Sequence, residues 1–350
     1  MSGEKNQLKY IDAFTPPFSL GGLFYDEDEN AYLRIPTAVA NKISPNVARF
    51  SRLTSGGRVR FKTDAQQISI RARCEKPVLR AHISILGTCG FSLYLNDEFV
   101  RSFLPGLESV TEQGFFYEGA CDLPPGMKDL TLFFPVYSEV RALEIGLNSN
   151  CTVFAPEEYK TEGTVVFYGS SITHGGCVSR PGNTYPDRLC RQLSCNYINL
   201  GVDASAKGET NMAEYIAGLK PSLFVMDYDH NAPSPEHLAK THEPFYRHFR
   251  LLCPDTPVIF ISKPDYRADR PEDEERRGII LSTYHHAQEN NEPVYFADGR
   301  DLFATCDRLG CTVDGIHPND LGFYRISEYL YRLITENNLL LQGSPRYEVD

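Results

Sequence analysis

The sequence predicts a two-domain protein in which an all-β domain precedes an α/β domain. The chain has 350 residues, which is more than one hydrophobic core usually organises. Short runs that alternate apolar with polar residues fill the first half, and continuous apolar runs separated by helical spacing fill the second. The change of pattern around Ala155-Pro156 divides the prediction into domains at residues 1–155 and 156–350.

The first half is predicted to be a β-sandwich with a jelly-roll arrangement. Alternation of apolar and polar side chains is typical of antiparallel strands that bury one face, and turn signals such as Ser55-Gly56-Gly57 separate the runs. The clearest runs are Arg58-Val59-Arg60-Phe61-Lys62, Ile68-Ser69-Ile70-Arg71-Ala72, Phe91-Ser92-Leu93-Tyr94-Leu95 and Leu130-Thr131-Leu132-Phe133-Phe134.

The second half is predicted to be a doubly wound, flavodoxin-like sheet of about five parallel strands. Continuous apolar runs suit parallel strands that are buried on both faces, and the segments between them, such as residues 185–193, suit crossover helices. The charged stretch from Arg270 to Arg277 is interpreted as a solvated loop or the start of a helix. The five runs are Val165-Val166-Phe167-Tyr168, Tyr197-Ile198-Asn199-Leu200, Leu223-Phe224-Val225-Met226, Val258-Ile259-Phe260-Ile261 and Val294-Tyr295-Phe296-Ala297.

The net charge limits the expected binding partners, and the cysteine pattern indicates the expected cellular compartment. A formal net charge of −11 disfavours nucleic acid and anionic membranes, whose phosphates would be repelled. The sequence begins without a charged-then-apolar signal, and its ten cysteines contain no CxxC pair. We therefore expect a cytoplasmic protein with reduced thiols, with a homo-oligomer as a possible state.

Residues that could take part in a reaction follow the first two apolar runs. In an open parallel sheet, ligands bind outside the carboxyl ends of the strands. The turn Gly169-Ser170-Ser171-Ile172-Thr173 can present a serine hydroxyl there, and the loop Gly201-Val202-Asp203-Ala204 can present backbone N–H groups to an oxyanion. Each segment alone is also an ordinary turn.

Two later segments add an amide, carboxylates and histidines. Asn231 follows the third run and is suited to polarising a carbonyl group. Its neighbours Asp227, Asp229 and His230 could instead hold a metal ion, although a hydrogen-bonded polar loop explains them better. In Asp314-Gly315-Ile316-His317, the carboxylate can accept from Nδ1 and leave Nε2 to take a serine proton.

Taken in order, these four segments resemble the sequence blocks of the SGNH (GDSL-like) hydrolase family. The string Gly90-Phe91-Ser92-Leu93-Tyr94 further resembles the G-x-D-L-Y signature of a branch with an N-terminal β-sandwich. The resemblance implies that Ser171 is the nucleophile and that Asp314 and His317 complete a catalytic triad. It also implies an oxyanion hole formed by Ser171, Ala204 and Asn231, with Gly201 as the alternative to Ala204.

The chain departs from the family pattern at the first and second blocks. Asp203-Ala204 stands where Ser-Gly is usual, and Ala204 would be strained if the position requires a positive φ. Ser170 likewise replaces the usual Asp beside the nucleophile. These departures keep open the alternative of a non-catalytic carbohydrate-binding protein with a decayed site, and the Asp227, Asp229 and His230 loop keeps open a metal-dependent hydrolase.

The predicted activity is that of a serine esterase that removes short acyl groups through an acyl-enzyme. No metal or organic cofactor is expected. A carbohydrate or a related small ester, acetylated by preference, is the expected substrate, because a β-sandwich beside a hydrolase domain favours carbohydrate recognition by analogy. Arg180 is a candidate substrate-binding residue, with a loop salt bridge as its alternative role.

Overall fold

The structure, a computed structural model, describes residues 8–303 and 307–341. Its contacts divide the chain into two compact units. The first runs to Glu157 and also takes in Gly175–Asn183, whereas the second comprises Glu158–His174 and the chain from Thr184 onward. The segment Gly175–Asn183 thus groups with the first unit although it follows the predicted boundary, and that boundary stays a prediction.

In the described part of the first unit, two large antiparallel sheets form a sandwich as expected, and a separate two-stranded sheet accompanies them. One sheet has the order β1-β11-β6-β9 and the other the order β12-β5-β10-β7-β8, with β2 also paired to β5 and β3 paired to β4. The strands are β1 (Leu8–Asp12), β2 (Ser19–Gly21), β3 (Phe24–Asp26), β4 (Ala31–Leu33), β5 (Arg58–Thr63), β6 (Gln67–Cys74), β7 (Phe91–Leu95), β8 (Glu98–Phe103), β9 (Phe115–Asp122), β10 (Lys128–Phe133), β11 (Val140–Asn148) and β12 (Val153–Phe154). Three short helices join them, namely α1 (Thr37–Ile43), α2 (Pro45–Phe50) and α3 (Ile85–Cys89).

The alternating residues of these strands meet in one core. Val59 and Phe61 of β5 are buried together with Ile68 and Ile70 of β6, which belongs to the other sheet. Because alternate side chains of a strand point to opposite faces, the apolar half of each strand covers the apolar half of the facing sheet. The predicted all-β sandwich is confirmed.

The second unit contains a parallel sheet of five strands in the order β14-β13-β15-β16-β17. Numbered from the start of the unit, this order is 2-1-3-4-5, which is the flavodoxin-like order. The predicted α/β fold is therefore confirmed, and the runs at residues 258–261 and 294–297 match their strands at both ends. The strands are β13 (Thr161–Gly169), β14 (Cys195–Gly201), β15 (Leu223–Asp227), β16 (Val258–Ile261) and β17 (Val294–Ala297).

Crossovers between parallel strands are almost always right-handed, so the direction of each step along the sheet decides which face its helix covers. The step from β13 to β14 runs in one direction along the sheet and the later steps run in the other, so the crossover helices lie on both faces. Consistent with this, α5 packs on α10, and α7 packs on α6 and α8. The helices are α4 (Ser171–His174), α5 (Tyr185–Gln192), α6 (Thr210–Gly218), α7 (Pro235–Leu252), α8 (Pro271–Glu289), α9 (Gly299–Leu302) and α10 (Asp320–Glu336).

The charged stretch before residue 278 is a helix rather than a loop, and it is only partly solvated. Helix α8 begins at Pro271, and both Arg276 and Arg277 are buried in it. Carboxylates and carbonyl groups from distant segments surround both guanidinium groups. Within the described ranges, no helix combines the length and apolar character needed to cross a membrane, and the nine cysteines found there are unbridged.

Candidate active site

The turn that carries Ser171 is formed where β13 ends at Gly169 and α4 begins at Ser171. A Cβ atom at Gly169 would lie 2.0 Å from Thr173 Oγ1 and 2.4 Å from the Asp227 carbonyl oxygen, so only glycine fits. The Ser170 N–H donates to that same carbonyl at 3.1 Å. The turn is thereby fastened to the end of β15, and Ser171 stands at the carboxyl edge of the sheet.

Ser171, His317 and Asp314 form a continuous hydrogen-bonded chain. Ser171 Oγ lies 3.0 Å from His317 Nε2, and His317 Nδ1 lies 2.7 Å from Asp314 Oδ2. The serine side chain is nearly buried, with 7% of its surface exposed. The structure thus brings together the three side chains that the sequence suggested as a triad.

Asp314 is held as a carboxylate by its own turn. Its Oδ1 accepts the backbone N–H groups of Ile316 at 3.0 Å and His317 at 2.8 Å. Partial burial raises the pKa of Asp314, but the hydrogen bonds from His317 and Ile316 outweigh it and lower the pKa to about 2. Because an ionised carboxylate can only accept, Nδ1 carries the imidazole proton and Nε2 is left to accept from Ser171.

Three potential oxyanion donors follow three adjacent strands. Ser171 follows β13, Ala204 follows β14 and Asn231 follows β15. Within the described residues, the N–H groups of Ser171 and Ala204 have no protein acceptor. Asn231 Oδ1 accepts the Ala206 N–H at 3.2 Å, which leaves the amide NH₂ to donate to a ligand.

Gly201 is engaged in a different way. Its N–H donates to Asn199 Oδ1 at 2.8 Å, and its carbonyl oxygen lies 2.9 Å from His174 Nδ1. A Cβ atom at Gly201 would lie only 2.3 Å from the backbone nitrogen of His174. Gly201 therefore permits α4 to approach β14 closely, and its N–H group is already committed.

The backbone of Ala204 has the conformation that glycine usually supplies. Its φ is +52°, in the left-handed region that costs an L-residue free energy. The sequence predicts strain at Ala204 if this position requires a positive φ, and the structure shows that it does. The substituted side chain still leaves the backbone N–H in place.

Asp227, Asp229 and His230 each bond to a different protein partner. Asp227 Oδ2 accepts the hydroxyl groups of Thr173 at 2.7 Å and Tyr185 at 2.9 Å. Burial is the main reason that the pKa of Asp227 rises to about 6. None of the three belongs to a group of side chains close enough to share a metal ion in the described ranges.

The other two side chains of that loop are fixed by ion pairs. Asp229 Oδ1 lies 3.1 Å from a guanidinium nitrogen of Arg276, and its Oδ2 accepts the Lys263 N–H at 3.0 Å. His230 Nε2 lies 2.7 Å from Asp265 Oδ1. Burial disfavours the imidazolium, but the nearby Asp265 carboxylate outweighs it and raises the pKa of His230.

Sequence reasoning missed the side chains that support the turn. Asn199, besides accepting from Gly201, donates through Nδ2 to the Thr173 carbonyl at 2.8 Å. Tyr185 and Thr173 meet over Asp227, with a separation of 3.2 Å between their hydroxyl oxygens. Thr173 lies within the first family block and Asn199 is the first residue of the second, so the block pattern was a signal for these two residues, whereas Tyr185 lies outside both blocks.

Arg180 lies in the segment that groups with the first unit. Its guanidinium carbon is 3.9 Å from the centroid of the Phe99 ring and 5.9 Å from that of Tyr94, an arrangement that gives cation–π attraction. Among the described residues it forms no ion pair. Its role in substrate binding stays a prediction.

A pocket of about 410 Å³ opens at the carboxyl edge of β16 and β17. Its volume is in the range of small-molecule sites. It shares Asp265 with the ion pair next to Asn231, and Thr312 with the turn before Asp314. The remaining lining residues are Tyr266, Arg267, Ala268, Asp269, Phe303, Arg308 and Leu309.

Comparison with known proteins gives two family matches that together span most of the chain. The GDSL-like lipase/acylhydrolase family matches residues 162–335, and the N-terminal domain of the SGNH-hydrolase-type esterases matches residues 8–153. No curated protein matches the chain.

Solved structures share the complete two-unit fold. A structure described as a GDSL-like lipase from Bacteroides ovatus is 26% identical, with a TM-score of 0.83 over 97% of this chain and 100% of that one. The salicylyl-acyltransferase SsfX3 from a tetracycline biosynthetic pathway is 19% identical, with a TM-score of 0.77 over 96% and 99%. A family two carbohydrate esterase from Clostridium thermocellum, in complex with cellohexaose, is 13% identical, with a TM-score of 0.63 over 92% and 99%.

Proposed function

The chain belongs to the SGNH (GDSL-like) hydrolases, in the branch with an N-terminal β-sandwich, and is a carboxylic ester hydrolase; we propose that it removes short acyl groups from a carbohydrate ester through an acyl-enzyme on Ser171. The observation that carries this proposal is the hydrogen-bonded chain from Ser171 through His317 to Asp314. Its separations of 3.0 and 2.7 Å are those at which a base can take a serine proton.

In the proposed mechanism, His317 Nε2 takes the hydroxyl proton as Ser171 Oγ attacks the ester carbonyl carbon. Asp314 holds the ring by accepting from Nδ1 and stabilises the imidazolium that forms. The same imidazolium then gives its proton to the departing alcohol oxygen. Water repeats the sequence on the acyl-enzyme, so the carboxylate product leaves and Ser171 recovers its proton.

The tetrahedral intermediate carries its negative charge on the former carbonyl oxygen. We assign its stabilisation to the N–H groups of Ser171 and Ala204 and to the Asn231 amide. Each is a donor without a protein acceptor among the described residues, and preorganised donors of this kind are worth about two to three powers of ten in kcat each. Gly201 is not included, since Asn199 already accepts from its N–H.

The proposed substrate is a sugar carrying a short acyl group, acetyl by preference. The pocket beside the Asp314 turn has a mostly apolar lining that includes the aromatic residues Tyr266 and Phe303, with polar groups on Arg308 and Thr312. Aromatic rings beside hydrogen-bonding groups suit a sugar, which has apolar C–H faces as well as hydroxyl groups. The fold shared with a carbohydrate esterase supports the same class of alcohol. A metal-dependent hydrolase has less support, because Asp227, Asp229 and His230 are each bound to separate protein groups.

The first test is hydrolysis of p-nitrophenyl acetate by the wild type and Ser171→Ala, with a metal chelator present throughout. We expect the variant to lose at least three powers of ten in kcat. Ser170→Ala is the matched control, since it removes the adjacent hydroxyl and should retain most of the activity. Equal rates for Ser171→Ala and the wild type would refute the assignment of the nucleophile.

A second test addresses the acyl group and the alcohol. We expect kcat/KM to fall from p-nitrophenyl acetate to the butyrate and the octanoate, and acetate to be released from acetylated xylo- or cello-oligosaccharides. Intact-mass analysis of acid-quenched enzyme should detect an acetyl group on Ser171. A preference for the octanoate would contradict the short-acyl assignment while leaving the serine mechanism standing.

A further inference from the structure

The short 3-10 turn Asp229–Asn231, which carries the proposed amide donor, is bound on both sides by one buried arginine of α8. Resting on the proposed function, we propose that Arg276 is a positioning residue for the reaction: it fixes this turn so that the Asn231 amide points at the developing oxyanion. Arg276 itself touches neither Ser171 nor His317 among the contacts of the described chain.

Arg276 donates hydrogen bonds to backbone carbonyl groups before and after Asn231. One terminal nitrogen donates to the Asp229 carbonyl at 2.9 Å and to Asp229 Oδ1 at 3.1 Å. The other terminal nitrogen donates to the Ala232 carbonyl at 2.9 Å. The two arms of the guanidinium therefore span the turn, and Asn231 lies between the two carbonyl groups that they hold.

This geometry requires the planar fork of arginine. A lysine ammonium carries all its donors on one nitrogen at the end of a flexible stem, so it cannot place two separate nitrogens against the two carbonyl groups as arginine does. The stem of Arg276 also gains order from Glu272, whose carboxylate accepts from Nε at 2.9 Å. Glu272 thus fixes the guanidinium group through Nε, while its two terminal nitrogens bind the turn.

Other contacts also hold the turn Asp229–Asn231. Asp229 Oδ2 accepts the Lys263 N–H, His230 pairs with Asp265, and Asn231 Oδ1 accepts the Ala206 N–H. The Asn231 carbonyl oxygen accepts from the Lys207 ammonium group, and the Asn231 N–H donates to the Tyr228 carbonyl at 2.9 Å. Arg276 binds the two carbonyl groups on either side of these contacts, at Asp229 and Ala232. Removing Arg276 would let the peptide planes around Asn231 rotate. The Asn231 amide would then still be present, but it would no longer be oriented toward the oxyanion.

A variant of the neighbouring Arg277 distinguishes a positioning role of Arg276 from a purely structural one. Arg277 is on the same helix, is buried to the same degree, and pairs with Asp298 at 2.6 Å. It makes no contact with the Asp229–Asn231 turn among the described residues. Arg277→Met is therefore a matched control for the loss of a buried, ion-paired arginine.

The experiment is a double-mutant cycle on p-nitrophenyl acetate hydrolysis with Arg276→Met, Asn231→Ala and the double variant. We expect Asn231→Ala to lower kcat about 10²-fold or more and Arg276→Met to lower kcat at least tenfold, with KM changed less than threefold. In the Asn231→Ala background, Arg276→Met should cost less than twofold, because a residue that acts through Asn231 has nothing left to position. Arg276→Lys should recover part of the loss.

Three results would overturn the inference. They are an equal loss from Arg276→Met in both backgrounds, a kcat for Arg276→Met that equals that of Arg277→Met, and a wild-type kcat for Asn231→Ala. Thermal melting of every variant distinguishes unfolding from misorientation of the Asn231 amide. If Arg276→Met is poorly folded, Arg276→Lys takes its place in the comparison. Failure of the proposed function itself would appear separately, as activity retained by Ser171→Ala.

Discussion

Gly201→Ala is predicted to reduce activity strongly although the residue touches no reacting atom. Gly201 ends β14, and the helix that begins with Ser171 lies directly against it. A methyl group there would be 2.3 Å from the backbone nitrogen of His174 and 2.7 Å from its Cα. Both atoms belong to the backbone of α4, so no side chain can rotate aside to make room.

The size of the effect follows from that overlap. Non-bonded carbon atoms prefer about 3.5–4.0 Å, so α4 would have to retreat by about 1 Å. Ser171 Oγ is only 3.0 Å from His317 Nε2, and a shift of this size would break their hydrogen bond. A misplacement of about 1 Å can cost 10²-fold in rate, and overpacking costs roughly 1–3 kcal/mol in the free energy of unfolding.

The assay measures kcat for p-nitrophenyl acetate together with urea unfolding of the same protein. Gly278→Ala is the matched control, because it lies inside α8 and a Cβ atom there meets nothing within 4 Å. It should keep wild-type kcat and gain about 0.5–1 kcal/mol in stability. A kcat for Gly201→Ala within threefold of the wild type, with unchanged stability, would refute the packing argument.

Three further changes test other parts of the site. Asp314→Asn should lower kcat by roughly 10³–10⁴-fold, because the imidazole would adopt the wrong tautomer; a loss below tenfold in steady-state assays would contradict this. Ala204→Gly should leave kcat within twofold and raise the free energy of unfolding by up to about 1 kcal/mol in urea titrations; a tenfold fall in kcat would contradict it. For Asp227, whose pKa of about 6 lies above its ordinary value of 3.8, the native state favours the protonated form, so stability falls as the pH rises from about 4 through 6. Asp227→Asn should remove that loss, gaining roughly 3 kcal/mol on the wild type between pH 4 and pH 7, and a parallel pH dependence of both proteins would refute it.

The strands were the most predictable part of the molecule. A strand buried on both faces must be apolar at every position, so Val258–Ile261, which is buried throughout, has the ends that the sequence indicates. The edge strand Val294–Ala297 is buried only at its two ends, and its apolar run also matches. The site segments were predictable for a related reason. Parallel strands end at one edge of their sheet, so residues that follow different strands, such as Ser171 and Asn231, are brought to the same edge.

Contacts between distant segments were not predictable from local pattern. Arg276 and Arg277 belong to a charged stretch, and most such stretches are solvated. Only the folded chain places the carbonyl groups of Asp229 and Ala232 where Arg276 can reach them. Likewise, the sequence offered Gly201 as a possible donor, whereas its role depends on the distance between β14 and α4.

Of the substitutions that made catalysis doubtful at the level of sequence, Ala204 falls at a position where the proposed chemistry uses the backbone. Ala204 occupies a left-handed conformation with a φ of +52°, and that strain costs roughly 1–2 kcal/mol relative to glycine. Glycine would gain freedom in the unfolded state, which offsets about 0.4–1 kcal/mol of the relief. The net effect on stability is therefore small, and the N–H group that would meet an oxyanion is the same in both residues. Alanine in place of glycine therefore changes stability little and leaves the donor group in place, so the substitution is a weak argument for a decayed site.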